Sequence, residues 1–340
     1  MNLSNENQKV LVIGGGNFGT CLAFHLAGKG KRVVIFDRST EVVEGINKEH
    51  RNLKYLPQYL LPLTIRATSE VADIDFSNMS HAIIVIPVQA ISSVLRDFSK
   101  TPLVDIPLIC ASKGIDISSK MFPLDIIKAE FGEKAFLNAS VLSGPSFAAE
   151  VMEKQPTAVA IASYNPASAL SAQTLLHDPF FRIYTSPDPK GLEVAGALKN
   201  VVAIAAGACV GFGFQVNTMA ALITRGLAEM ARFGQALGAQ KQTFMGLSGV
   251  GDLFLTCTSE KSRNYSTGFH LAKGKSLDDT LKALGSVAEG VYTAKAAKQI
   301  AMDLNIDAPL TFAVNEVLYE GVAIGEAFKK VINRDPKSEE

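Results

Sequence analysis

The strongest constraint lies near the start of the chain. The apolar run Lys9–Ile13 passes directly into Gly14-Gly15-Gly16-Asn17-Phe18-Gly19-Thr20 and then into a helix-period segment, Phe18–Lys29. Gly14, Gly16 and Gly19 occupy the three fixed places of a G-x-G-x-x-G pattern. The first permits a tight turn, the second lets the backbone approach a pyrophosphate, and the third lets the helix pack close to the strand. The helix N-terminus then offers N–H groups and a positive dipole end to the phosphates. A second apolar run, Arg32–Phe36, ends at Asp37, eighteen residues after Gly19. A glycine cluster alone would fit a plain turn. Strand before, helix after and acid at this distance together make it a dinucleotide site. Asp37 stands where an acid hydrogen-bonds the adenosine 2′-hydroxyl of NAD(H). Arg38 beside it suits the 2′-phosphate of NADP(H), or stacking on adenine. The two residues pull the cofactor preference in opposite directions, and a solvated surface charge is the alternative account of Arg38.

The alternation continues. Further strand candidates are Ala82–Ile86, Pro107–Ala111, Ala135–Leu142, Thr157–Ala162 and Phe181–Tyr184, several of them continuously apolar, as in parallel strands covered on both faces. Helical stretches such as Ala167–Leu176 lie between them, which predicts a doubly wound α/β sheet. The pattern changes at Ser186-Pro-Asp-Pro-Lys190, where Asp188 and Pro189 read as N-cap and first helical residue. Beyond it come helix patterns only: Leu192–Val210, Asn217–Leu237, Arg263–Lys273, Ser276–Ala283, Gly290–Leu304 and Ala308–Gly321. The expected organisation is an α/β domain over 1–187 and an all-helical domain over 188–335, in keeping with about two domains for 340 residues. The polar tail from Arg334 is expected to fray.

Composition excludes several classes. At 47% hydrophobic and 19% charged residues, the chain is globular and not disordered. Thirty-three basic residues balance thirty-three acidic ones, so nothing points to nucleic acid or an anionic membrane as partner. The first eight residues lack the basic and apolar regions of a signal peptide. Val201–Thr224 is uncharged over 24 residues, long enough to span a bilayer. Its Ala and Gly content, Gln215, Asn217 and the Gly211-Phe-Gly213 break favour a buried helix over membrane insertion. Cys21, Cys110, Cys209 and Cys257 form no Cys-x-x-Cys pair, the pattern of reduced core thiols in a cytoplasmic protein. With the histidines scattered, no metal is expected.

A second set of residues stands out. Lys113 follows the strand candidate Pro107–Ala111, at the sheet edge where ligands bind in open α/β folds. Ser143-Gly144-Pro-Ser146-Phe-Ala148 follows another strand candidate. Ser146 is a ready helix cap, and its turn could equally face an anion. Lys199 is the only charge between Glu193 and Arg225, and its helical neighbours are Ala195, Gly196, Val202 and Ala203. A lysine on an apolar face either snorkels or has a purpose, and burial lowers its pKa toward the range of proton transfer. Asp252 follows Gly249-Val-Gly251, as a helix cap or as a partner for Lys199. Arg263 and Asn264 open a later helix, where Arg suits either a phosphate or a surface ion pair.

Together the ordered motifs Gly14–Gly19, Ser112-Lys113-Gly114, Ser143–Ala148, Leu198-Lys199-Asn200, Gly251-Asp252-Leu…Thr256-Cys257 and Ser262-Arg263-Asn264 resemble those of bacterial NAD(P)-dependent glycerol-3-phosphate dehydrogenases, over nearly the whole chain. The resemblance implies a Rossmann-type N-terminal domain, a helical C-terminal domain and a site in the cleft between them. It implies reversible reduction of dihydroxyacetone phosphate by NAD(P)H to sn-glycerol 3-phosphate, supplying phospholipid head groups, in a homodimer. By the same resemblance Lys199 is the general acid/base. Lys113, Gly144, Ser146, Asn200, Asp252, Thr256, Ser262, Arg263 and Asn264 lie toward substrate. Gly14, Gly16, Asn17, Phe18, Gly19, Asp37, Arg38, Tyr55, Lys113, Ala148, Arg263, Val287 and Glu289 lie toward cofactor. Asp37 departs from the small neutral residue that bacterial members often carry there, which tilts the expectation toward NADH. Two rivals remain: another Rossmann-plus-helical dehydrogenase acting on a β-hydroxy acid or sugar acid, and a dinucleotide sensor without catalysis.

Overall fold

The computed structural model describes residues 8–285 and 287–335. Residues 1–7, which carry most of the leader reading, and residues 336–340 of the polar tail lie outside the described residues. The chain divides into two compact units, one of Met1–Ser112 with Pro123–Leu192, the other of Lys113–Phe122 with Glu193–Glu340.

The first unit holds one eight-stranded sheet: β1 (Lys9–Ile13), β2 (Arg32–Phe36), β3 (Ile65–Thr68), β4 (Met79–Ile84), β5 (Leu108–Cys110), β6 (Ser140–Ser143), β7 (Thr157–Ser163) and β8 (Phe181–Ser186). Its order is β3-β2-β1-β4-β5-β6-β7-β8. The chain builds outward from β1 to β3 on one side and then resumes at β4 on the other. The loop after β1 therefore opens at the point where strand order reverses, the ligand crevice of such sheets. The helices of this unit are α1 (Asn17–Gly28), α2 (Thr40–Glu49), α3 (Val88–Asp97), α4 (Pro123–Asn138), α5 (Ala148–Met152) and α6 (Pro166–Leu176). Val10, Leu11, Val12 and Ile13 are wholly buried, as a strand covered on both faces requires. Leu22, Ala23 and Leu26 of α1 join the core with Val33 and Ile35 of β2.

The doubly wound sheet stands as expected, with local differences. Residues 135–138 end a helix, and only Ser140–Ser143 is strand. Ala135-Phe136-Leu137 is a short apolar run, and periodicity alone cannot assign such a run to strand or helix. The four-residue strand β3 gave no comparable signal. Strand β7 runs antiparallel to β6, while the other pairs are parallel. Five-residue α5 rises only about 7 Å, too little to carry the chain back along a strand, so β7 starts from the end where β6 stops.

Among the described residues of the second unit the regular elements are helices: α7 (Pro189–Phe212), whose first turn belongs to the first unit, α8 (Val216–Ala236), α9 (Asp252–Cys257), α10 (Arg263–Ala272), α11 (Leu277–Leu284), α12 (Glu289–Asp303), α13 (Pro309–Tyr319) and α14 (Ile324–Ile332). Asp188 caps α7, its Oδ1 accepting from the Gly191 N–H at 2.9 Å. The uncharged stretch 201–224 is not one helix. It breaks at Gly213, where φ is +100°, and divides between α7 and α8. α7 is long and apolar enough to cross a membrane, but 83% of its most apolar window is buried within the protein. Its glycines serve contact: a Cβ on Gly207 would lie 1.8 Å from the Tyr265 carbonyl oxygen, and one on Gly268 would lie 1.8 Å from that of Ile204. The backbones of α7 and α10 thus touch, which fixes Lys199 and Asn200 relative to the start of α10.

Glu229 of α8 caps α13 from outside. Its buried carboxylate accepts from the Leu310 N–H at 2.8 Å, the Thr311 N–H at 2.9 Å and the Thr311 hydroxyl at 2.6 Å. Glu229→Gln would turn an amide N–H₂ toward one of these donors. We expect a loss of about 1–3 kcal/mol in urea unfolding, the cost of leaving a buried donor unsatisfied.

Candidate active site

In the first unit the glycine loop is held on every side but one. Gly14 has φ of +116°, and its N–H donates to the Phe36 carbonyl at 2.9 Å. A Cβ there would lie 2.6 Å from the Val85 carbonyl oxygen, and one on Gly19 would lie 1.9 Å from that of Gly14. A Cβ on Gly16 would meet nothing within 4 Å. The open side is therefore at Gly16, where the backbone must be bare for a pyrophosphate to approach. Exposed Asn17 and half-buried Phe18 begin α1, and the N–H groups of Gly16, Asn17 and Phe18 have no partner among the described residues. This cradle fits a dinucleotide.

The other first-unit residues sit around it or on neighbouring strand ends. The Asp37 carboxylate accepts from the Gly15 N–H at 2.7 Å and the Ser39 N–H at 2.8 Å. The exposed Arg38 pairs with Asp97 at 2.7 Å. Tyr55 lies half-buried against the core, its N–H donating to the Asn52 side chain at 3.3 Å. After β6, Gly144 has φ of +149° and accepts from the Ser146 hydroxyl at 3.2 Å. Ser146 does not cap α5: Phe147 holds the cap position, and Ala148 is the first helical residue.

In the second unit Lys199 is not snorkelling. It is buried, donating to Asp252 Oδ1 at 2.8 Å and to the Thr256 hydroxyl at 2.8 Å. Lys113 donates to the other oxygen of Asp252 at 2.7 Å. One buried carboxylate thus holds two ammonium groups, one from α7 and one from the crossing segment Lys113–Phe122. A π-type turn over Leu247–Gly251 delivers Asp252 to the start of α9, and Thr256 closes the turn by donating to the Asp252 carbonyl at 2.6 Å. Burial pushes Lys199 down from 10.5 to about 8, with Asp252 opposing and Lys113 assisting. Burial works against ionisation of Asp252, but Lys113 and Lys199 outweigh it and hold the carboxyl below its ordinary value.

Beside this cluster Asn264 donates to the Asn200 side chain at 2.9 Å and accepts from the Gly290 N–H at 2.9 Å, so α7, α10 and α12 meet at one amide. Ser262 caps α10, accepting from the Tyr265 N–H, and Arg263 is the exposed first helical residue. Val287 lies two residues before α12, and Glu289 is its first residue. The four cysteines are free and buried. Among the described residues no three His, Cys, Asp or Glu side chains are grouped to hold a metal ion.

The sequence reading missed Asn52 and Thr20 as a polar pair against the glycine loop. Thr20, a polar residue just before the apolar Cys21-Leu-Ala23, was the available signal; Asn52 stood only at the start of the stretch Asn52-Leu-Lys-Tyr-Leu-Pro57, which the resemblance places toward the cofactor, with no role of its own. It also missed that residues 113–122 pack with the second unit, since such an excursion leaves no periodicity.

The family model described as NAD-dependent glycerol-3-phosphate dehydrogenase N-terminus matches residues 9–169, and its C-terminal counterpart matches residues 188–329. The chain belongs to this family. Glycerol-3-phosphate dehydrogenase (NAD(P)+) of Leptospira biflexa is 41% identical over 98% of this chain and 99% of its own. The Oceanobacillus iheyensis enzyme of that name is 43% identical over 98% and 96%. The crystal structure of glycerol-3-phosphate dehydrogenase from Coxiella burnetii superposes with a TM-score of 0.91 at 33% identity, covering 97% of this chain and all of that one.

Asp252→Asn would leave two cations at a buried site without their counter-ion. Lys199 should then titrate below about 8, because burial and Lys113 both favour the neutral amine. NMR of isotope-labelled lysine reads this shift. Unfolding should show a loss of about 3–5 kcal/mol, as for a broken buried ion pair.

Proposed function

We propose that this protein catalyses the reversible NAD(P)H-dependent reduction of dihydroxyacetone phosphate to sn-glycerol 3-phosphate. The observation that carries the reading is Lys199, a buried ammonium oriented by Asp252 and Thr256 in a chain of this family. A bound nicotinamide dinucleotide would supply the hydride. Lys199 would donate its proton to the ketone oxygen as negative charge develops there, and accept it back in the reverse direction. Lys113 adds positive charge nearby, and Asn200 adds a hydrogen-bond group. Arg263 and the start of α10 take the substrate phosphate, whose binding energy positions the carbonyl. Gly144 and Ser146 belong to the same substrate set. Gly14–Gly19, with Asn17, Phe18, Tyr55 and Ala148, hold the dinucleotide, and Val287 and Glu289 are added from the second unit. Asp37 favours the 2′-hydroxyl of NADH, and Arg38, once released from Asp97, would admit a 2′-phosphate. A cytoplasmic homodimer that feeds glycerophospholipid synthesis completes the reading.

Turnover with saturating cofactor and dihydroxyacetone phosphate, set against unphosphorylated dihydroxyacetone, tests it. Oxidation of NAD(P)H with the unphosphorylated ketone at the same efficiency would favour a different dehydrogenase, and binding without turnover would favour a sensor.

Lys199→Met keeps the stem and removes the proton donor. kcat should fall by about 10²–10⁴-fold with NADH affinity and fold retained. In the unmodified enzyme, ketone reduction needs the ammonium form, so its rate should fall as pH rises through about 8, while alcohol oxidation rises. Steady-state kinetics in both directions, with NADH titration and a thermal melt of the variant, check this.

Arg263→Lys keeps the charge and loses the bidentate fork. kcat/KM for the phosphorylated ketone should drop by about tenfold or more, a loss of about 1.4 kcal/mol of transition-state binding. Dihydroxyacetone turnover should barely change. Equal losses on the two substrates would remove Arg263 from phosphate binding.

A further inference from the structure

Gly14-Gly15-Gly16 is the least restrained tripeptide a chain can contain, because glycine places almost no steric limit on its φ and ψ. A cofactor loop needs the opposite, since its N–H groups must already point at the ligand. The structure shows what replaces the missing steric restraint. Each peptide unit is planar and trans, so its N–H and C=O point in opposite directions. In the Gly14–Gly15 unit, Asp37 accepts the N–H at 2.7 Å, and the carbonyl oxygen lies against Gly19. In the Gly15–Gly16 unit the carbonyl is held from inside. Asn52 Nδ2 donates to it at 2.6 Å and also to the Thr20 hydroxyl at 2.7 Å, and that hydroxyl donates to the same carbonyl at 3.2 Å. Asn52 and Thr20 are both wholly buried. With its carbonyl locked inward, this unit turns the Gly16 N–H outward, to the side where a Cβ would meet nothing within 4 Å.

We infer that Asn52, acting with Thr20, is the positioning residue that fixes the Gly15–Gly16 peptide plane and so presents the Gly16 N–H to the pyrophosphate of the dinucleotide. This rests on the reading that the glycine loop binds a dinucleotide. Asn52 also joins two parts of the site. Its Oδ1 accepts from the Tyr55 N–H at 3.3 Å, and its backbone carbonyl accepts from the Leu56 N–H at 2.9 Å. The Tyr55 segment and the glycine loop are therefore held by one residue.

The test uses the full-length enzyme and three variants. Asn52→Asp keeps the shape and the acceptor for Tyr55 but sets a carboxylate oxygen against the Gly15 carbonyl. Thr20→Val removes the hydroxyl at constant shape, and Thr20→Ser restores it. NADH affinity is read from the cofactor's own fluorescence, ADP-ribose and adenosine binding by competition, and folding by thermal melt. The expected result is a rise of at least about tenfold in the dissociation constants of NADH and ADP-ribose for Asn52→Asp and Thr20→Val. Adenosine binding, kcat at saturating NADH and KM for dihydroxyacetone phosphate should stay within twofold, and Thr20→Ser should match wild type. Asn52→Asp and Thr20→Val proteins that bind NADH as wild type does would overturn the inference, and so would equal weakening of adenosine and ADP-ribose. Should Asn52→Asp fail to fold, the Thr20 pair decides by the same criteria. If wild type binds no NADH, the dinucleotide reading falls, and this inference falls with it.

Discussion

The second unit is organised around one carboxylate. Asp252 is almost wholly buried, and an ionised group there is tolerable only if its charge is answered. Lys199 and Lys113 answer it, one on each oxygen. The requirement reaches outward from there. α9 must begin at Asp252, so the preceding turn must deliver it, and Thr256 one turn later folds back onto its carbonyl. α7 must bring Lys199 to the same point. The ten residues from Lys113 to Phe122 must leave the α/β unit to supply the second cation, anchored by buried Ile115 and Phe122 in the helical core. Removing Asp252 would leave two cations unanswered, whereas removing either lysine leaves an ion pair, so the carboxylate couples these separate segments.

The first unit meets a different demand. Its site consists of backbone, and backbone directs nothing unless its planes are fixed. Gly14 and Gly19 are shaped by collision, since each would drive a Cβ into a carbonyl oxygen. Gly15 is also closed to a side chain, because a Cβ there would come within 2.8 Å of Val42 and 3.0 Å of the Asp37 carboxylate. The consensus leaves this position free, and here Val42 and Asp37 together leave room only for glycine. Asp37 therefore has a task besides any contact with a ribose: it orients a peptide of the loop.

Much of this was legible in the sequence, and the limit has a physical form. The strand–glycine–helix unit, β1, β2 and Asp37 were readable because short-range rules govern them: glycine spacing, apolar runs and an acid at a strand end. Lys199 was readable because a lone lysine among Ala and Val is anomalous on its own helix. Strand β3, with four residues at the sheet edge, carries too few positions for a period to emerge. The segment 135–138 shows the reverse failure, an apolar run with a helical identity that only its connection to α4 reveals. Asn52 is the clearest case. It lies 37 residues from the carbonyl it holds, and a single asparagine in an irregular segment has no visible partner until the fold buries it completely. The second cation on Asp252 was hidden for the same reason, since 139 residues separate it from Lys113.

The same geometry sets the chemical character of Lys199. An isolated lysine at that depth would lose its proton, because burial penalises the ammonium form. A lysine paired with a carboxylate of its own would hold the proton too firmly to release it near neutral pH. Asp252 is not its own, because Lys113 shares it and spends part of the negative charge. The balance of burial and Lys113 on one side against Asp252 on the other leaves Lys199 at about 8, close to where a group that both gives and takes a proton works best. Thr256 adds direction: with an oxygen of Asp252 and the Thr256 hydroxyl each accepting one ammonium proton, the third N–H is free to point elsewhere. A reversible ketone reduction needs such an arrangement, one proton held loosely and aimed, with Asp252 still paired to Lys113 once that proton has gone.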